Sequence, residues 1–189
     1  MIDDMISWSM EAGKIMLAHR ERLGELEVGK KNPRDLVTEA DREVEAFLVE
    51  RIKDKHPSHG VFGEEGGTSG DQRKRWIIDP IDGTASFVHG QPNFSVSLAY
   101  EEEGVIRYGL VFAPAMNEIY TAERGKGAKL NGEPIRVREN SEMIEAIVGT
   151  GFACHRDQSE RNNLQILPKV LPEIRDIRRY GSAALDCAY

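Results

Sequence analysis

The stretch Trp76-Ile-Ile-Asp-Pro-Ile-Asp-Gly-Thr-Ala-Ser-Phe87 places the tightest limits on what this chain can become. Ile77 and Ile78 form a short apolar run into Asp79, the pattern of a buried strand that delivers a carboxylate at its end. Pro80 has no N–H to give a ladder and fixes its own φ, so the strand is predicted to stop there. Asp82 follows shortly after, and Gly83 permits a sharp turn or a close backbone approach. Thr84 is a predicted helix start, where outward-facing N–H groups favour an anion. Two carboxylates beside such N–H groups suit a hard cation that holds a phosphate.

Asp79 and Asp82 also have a plainer reading, since aspartates open turns and cap helices. A calcium-binding EF-hand is disfavoured: the spacing differs, Pro80 intrudes, and Gly90 stands where the loop's closing glutamate belongs. Upstream, Thr38 and Asp41 have the spacing of a capping box, which explains both without any catalysis. Glu64 and Glu65, taken alone, read as surface charges beside a glycine loop. Lys30 and Lys31 read as solvated loop charges. His89 lies close to the central stretch but reads as structural, and Cys154 has no convincing base partner for a thiol nucleophile.

Asp79-Pro-Ile-Asp-Gly-Thr84 resembles the metal-binding motif of the inositol monophosphatase family, within the larger group of lithium-sensitive, magnesium-dependent phosphatases. Gly63-Glu64-Glu65 is similar to that family's second acidic motif, Asp35-Leu-Val-Thr-Glu-Ala-Asp41 to a third, and Gly181-Ser-Ala-Ala184 to a fourth. Motif order and approximate spacing match as well, so the resemblance spans nearly the whole chain. It implies two or three Mg2+ ions held by Glu64, Asp79, the Ile81 carbonyl and Asp82. Asp79 would bridge two of them, and Glu65 would sit behind the ligands. It further implies that Glu64, Thr84 and Asp41 orient the attacking water. Ile81, Asp82, Gly83 and Thr84 would border the phosphate, and Gly181, Ser182 and Ala183 the sugar or polyol. A lysine of the family's mobile loop falls near Lys30 and Lys31.

By the same resemblance the chain is a phosphoric monoester hydrolase, acting on a small phosphorylated polyol or sugar and forming a homodimer. Inositol monophosphate is the first expectation. Fructose 1,6-bisphosphate, 3′-phosphoadenosine 5′-phosphate and histidinol phosphate are alternatives on the same machinery. A non-catalytic metal-binding interaction protein is the alternative of another class. Family members continue for several tens of residues beyond the position of Tyr189, through a Trp-Asp motif whose aspartate binds the second metal. A polypeptide that stopped at Tyr189 is therefore expected to turn over poorly.

The formal net charge of −7, with no evident basic stripe, disfavours nucleic acid as a partner. It also sets an acidic protein the task of attracting an anion, which bound cations solve by inverting the local field. Hydrophobic content of 40% and charged content of 30% are ordinary for a globular domain. No apolar run approaches the ~20 residues that span a bilayer, and the acidic start Met1-Ile-Asp-Asp-Met5 is not a secretory signal. Cys154 and Cys187 lack zinc-site spacing and imply no disulfide framework. No membrane partner and a cytoplasmic location are expected.

The remaining chain predicts an α+β fold. Helices are expected over 2–22 and from Thr38 to near Lys55, the second with Val44, Phe47, Leu48 and Ile52 on one face and ended by His56-Pro57. Gly29–Pro33 reads as a loop and Gly66–Gly70 as a flexible connection. Val61-Phe62 fits a strand feeding Glu64. Phe94, Val96, Leu98 and Tyr100 alternate as in a half-buried strand, and 105–112, 118–122 and 135–137 continue the series, with Asn131-Gly132 as a hairpin turn. These make an antiparallel sheet flanked by helices, a layered sandwich of the sugar-phosphatase type, over 1–140. Strands at 146–150 and 174–178 around a helix at 158–171 interrupted by Pro168 open a second α/β half over 141–189, with Ser182 as a further helix cap.

Overall fold

The computed structural model describes residues 1–25, 28–32, 35–139, 142–152 and 163–189. Two long helices, α1 (Ile2–Arg20) and α2 (Glu39–Lys55), lie on one face of an eight-stranded sheet. Its strands, in chain order, are β3 (Gly60–Gly63), β4 (Gly67–Ser69), β5 (Lys74–Asp82), β6 (Ser95–Glu102), β7 (Val105–Ala113), β8 (Glu118–Glu123), β9 (Gly127–Leu130) and β10 (Glu133–Ile135). Before them β1 (Val28–Asn32) and β2 (Asp35–Thr38) form a separate antiparallel ribbon. Helix α3 (Thr84–Val88) follows β5, and β11 (Ile147–Gly149) pairs in parallel with β12 (Asp176–Arg178). Helices α4 (Leu167–Val170) and α5 (Ala183–Ala188) complete the described α-helices. The architecture is α+β, as expected.

Periodicity in the sequence explains the core. Met5, Trp8, Ala12 and Met16 of α1 and Ala40, Val44, Leu48 and Ile52 of α2 are buried against Trp76 and Ile78 of β5 and Val96, Leu98 and Tyr100 of β6. The helical residues recur at three or four and the strand residues at two, so both elements turn one apolar face to the same layer. Trp76 is wholly buried, within 5.6 Å of the Trp8 ring and 5.3 Å of Tyr100, and its Nε1 donates to His59 Nδ1 at 3.1 Å. At the start of α2 the predicted capping box is present: the Asp41 N–H donates to Thr38 Oγ1 at 3.4 Å, and the Thr38 N–H donates back to Asp41 Oδ2 at 2.8 Å. Thr38→Ala should therefore lower stability by about 1–2 kcal/mol. Thermal melts of the variant would read this as a drop of a few degrees. An unchanged midpoint would show that the box contributes nothing.

Several local expectations give way to pairing. The strand does not stop at Pro80: β5 continues to Asp82, with a register break between Asp79↔Ser97 and Asp82↔Ser95. Pro80 and Ile81 face Val96 alone across that break, a bulge in which the missing N–H is not needed. Gly29–Asn32 is strand rather than loop, because Gly29 and Lys30 find ladder partners in Val37 and Leu36. Gly67–Ser69 likewise forms a strand, antiparallel to β3, where a flexible connection was expected. The sheet is antiparallel except where β3 runs parallel beside β5. The segment returning from the Asn131-Gly132 turn is 133–135, paired with a β9 that the pattern did not single out. Of the helix expected over 158–171, residues 158–162 lie outside the described residues; Leu167–Val170 is helical, and Pro168 lies in its first turn rather than interrupting it.

Among the described residues no helix is long and apolar enough to cross a membrane.

Candidate functional site

The site forms where β5 ends. The bulge at Pro80 and Ile81 turns the strand end, and Gly83, at φ 92, caps α3. Thr84 is the first helical residue, as predicted. This places Asp79, Asp82 and Thr84 around one corner, with β3 alongside delivering Glu64 from just beyond Gly63.

Asp79 is the electrostatic centre of that corner. Burial, the charges of Glu64 and Asp82, and a hydrogen bond with Glu64 push its carboxyl up to about 9. Its Oδ1 is buried without a hydrogen-bond partner. A carboxyl pressed against two others, with an oxygen left unsatisfied, is what an oxygen-seeking cation would relieve. Glu64, Asp79, the Ile81 carbonyl and Asp82 are all hard oxygen donors and fit such an ion. Among the described residues, no three His, Cys, Asp or Glu side chains converge into a ready-made metal cage.

Asp41 faces the same corner from α2. It is 1% exposed, and burial raises its pKa, opposed by the hydrogen bonds from Thr38 and reinforced by the charge of Glu65. Thr84 Oγ1 lies 3.3 Å from Asp41 Oδ1 and 3.0 Å from the Ile81 carbonyl oxygen. The hydroxyl has one hydrogen, so the two acceptors compete for it.

Asp82 is tied to the far end of the chain. Its Oδ2 accepts from Ser182 Oγ at 2.6 Å and from the Ala184 N–H at 2.6 Å. Ser182 is wholly buried, caps α5 by accepting from the Leu185 N–H, and lies 3.1 Å from Ser95 Oγ. Gly181, at φ 104, and the exposed Ala183 flank it. The structure thus brings Asp41, Glu64, Asp79, Ile81, Asp82, Gly83, Thr84 and Gly181–Ala183 to one region. His89 points to its own helix, with Nδ1 2.8 Å from the Ala85 carbonyl oxygen. Cys154 lies outside the described residues, and Cys187 is an exposed thiol.

Sequence reasoning missed Glu45. Its carboxylate accepts from the Glu65 N–H at 2.9 Å and the Gly66 N–H at 2.5 Å. The signal was present, because Glu45 interrupts the buried stripe of Val44, Leu48 and Ile52 on α2.

The α+β layered scaffold is the class shared with the solved structures it superimposes on. The suhB extragenic suppressor protein of Bartonella henselae superimposes with a TM-score of 0.93 at 35% identity, over 100% of this chain and 73% of that one. The inositol-1-monophosphatase of Rhizobium meliloti is 40% identical over 100% of this chain and 72% of its own length. The fructose-1,6-bisphosphatase/inositol-1-monophosphatase of Thermotoga maritima is 42% identical over 100% of this chain and 70% of its own length. The sequence profile of the inositol monophosphatase family matches residues 2–189, and the chain belongs to that family of phosphatases.

Proposed function

We propose that this chain hydrolyses a small phosphate monoester, inositol monophosphate first, with Mg2+ held by Glu64, Asp79, the Ile81 carbonyl and Asp82. The observation that carries this reading is Asp79: a desolvated carboxyl with an unpartnered oxygen, crowded by Glu64 and Asp82. When bound, the ions would supply a water of lowered pKa and positive charge at the leaving oxygen. Thr84 and Asp41, linked across 3.3 Å, would hold that water in line with phosphorus, with Glu64 on its other side. The N–H groups of Gly83 and Thr84 would hold phosphate oxygens. Gly181, Ser182 and Ala183 would border the polyol, where small side chains leave room for hydroxyls.

Phosphate release from inositol monophosphate, with Mg2+ titrated from zero, tests the reading. A saturable dependence is expected, with lithium lowering the rate at magnesium concentrations that support it. Absence of release at every magnesium concentration would remove the proposal. Release that lithium leaves unchanged would place the second ion in a different environment. A second substrate is favoured by the Thermotoga maritima relative, whose name pairs fructose 1,6-bisphosphate with inositol monophosphate at 42% identity. Comparing kcat/KM for the two compounds decides between them.

A further inference from the structure

We propose that Glu45 is a positioning residue that holds the Gly63–Gly66 loop, and through it the Glu64 carboxylate, in the geometry that receives the cation; this rests on the function proposed above. Glu45 lies on the core-facing stripe of α2 and is 5% exposed, a place where an aliphatic side chain would be expected. Burying a carboxylate is costly unless its oxygens are hydrogen-bonded. Here both are used, one by the Glu65 N–H at 2.9 Å and the other by the Gly66 N–H at 2.5 Å. The two donors directly follow Glu64, so the anchor acts on the backbone that carries it.

The glycines on either side support the same conclusion. A Cβ at Gly63 or at Gly66 would sit 2.7 Å from the Glu45 carboxylate, closer than any real contact. The loop is therefore wrapped closely around this side chain, and a methyl at Gly63 or Gly66 would push on its carboxylate. Charge alone argues against the arrangement, since Glu45 adds a third carboxylate to the pair Glu64-Glu65. What the placement provides is fixed geometry: a rigid helix on one side, two backbone donors on the other, and the Glu64 side chain left facing Asp79. Outer partners of this kind commonly change metal affinity by 10–100-fold when removed.

Glu45→Gln keeps the shape but presents an NH2 to one of two backbone donors. In the metal-free protein, amide exchange at Glu65 and Gly66 should become at least about tenfold faster, while amides of α1 and β6 keep their rates. Calorimetric titration should show Mg2+ affinity weakened by about 10–100-fold, with phosphate release recovering to within a few fold of wild type at saturating Mg2+. Unchanged loop exchange would overturn the proposal. So would faster exchange throughout the chain with unchanged Mg2+ affinity, because Glu45 would then be merely structural. If wild type binds no Mg2+ and releases no phosphate, the proposed function fails instead, and the exchange comparison still decides whether Glu45 holds the loop. Should Glu45→Gln not fold, Gly66→Ala makes the same comparison by pushing on the carboxylate from the loop side.

Discussion

Asp79→Asn is expected to raise the thermal midpoint of the metal-free protein at neutral pH while removing magnesium-dependent phosphate release. Burial, Glu64 and Asp82 hold the Asp79 carboxyl at about 9, against an ordinary value of 3.8. A raised carboxyl pKa means the folded chain binds a proton that the unfolded chain gives up. Stability is then highest below the unfolded value and falls as pH rises through the window from about 4 to about 9. Asparagine resembles the neutral carboxyl in shape and does not ionise in either state, so it escapes that loss. The gain at pH 7 should be about 4 kcal/mol at most, or roughly 8–16 °C, and should vanish near pH 4. With Mg2+ present the order reverses, because only wild type is stabilised by the ion. Losing a proposed ligand of the ions should lower the rate by about a thousandfold or more, equivalent to roughly 4 kcal/mol. Melts of both proteins at pH 4 and pH 7, with and without Mg2+, check the prediction. A variant less stable than wild type at pH 7 without metal would sink the electrostatic account, and equal Mg2+ affinity would remove Asp79 from the ion site.

Gly83→Ala should be among the more damaging glycine-to-alanine changes in the described residues. Gly83 holds φ at 92, a conformation that costs an L-residue about 1–2 kcal/mol. The added Cβ would meet the Asn93 carbonyl oxygen at 2.7 Å and the Gly181 carbonyl oxygen at 3.2 Å. Both are backbone atoms, so relief requires moving β6's approach or the Gly181–Ser182 turn. Either movement pulls on Asp82, which Ser182 and Ala184 hold at 2.6 Å. A loss of about 3 kcal/mol or more is expected, together with a fall in phosphate release that added Mg2+ does not restore. Gly104→Ala serves as the reference: φ is 75 there too, but nothing lies within 4 Å of the new methyl, so only the backbone strain remains. Denaturant melts that gave the two variants equal midpoints would show that the contact at Gly83 relaxes freely.

What the sequence determined by itself was whatever a few neighbouring residues decide among themselves. The Thr38–Asp41 box and the Ser182 cap depend on side chains reaching their own backbone, and the Asn131-Gly132 turn on two residues that tolerate positive φ; each was legible in the chain. So were the buried faces of α2 and β6, because period in sequence becomes one side of an element. The acidic motif around Asp79 was legible as chemistry through its resemblance to the family the chain belongs to, since spacing alone left turn-opening and capping open. Tertiary structure decided the rest. Pro80 became a bulge instead of a strand end because β6 continued the ladder on its far side. The segments at 28–32 and 67–69 became strands because partners happened to lie alongside. Asp82 met Ser182 and Ala184 across a hundred residues, and Glu45 met a loop on another element. No local rule reports such pairings: the cost of an unsatisfied backbone group or a buried carboxylate is local, but the group that satisfies it can lie anywhere the fold brings it.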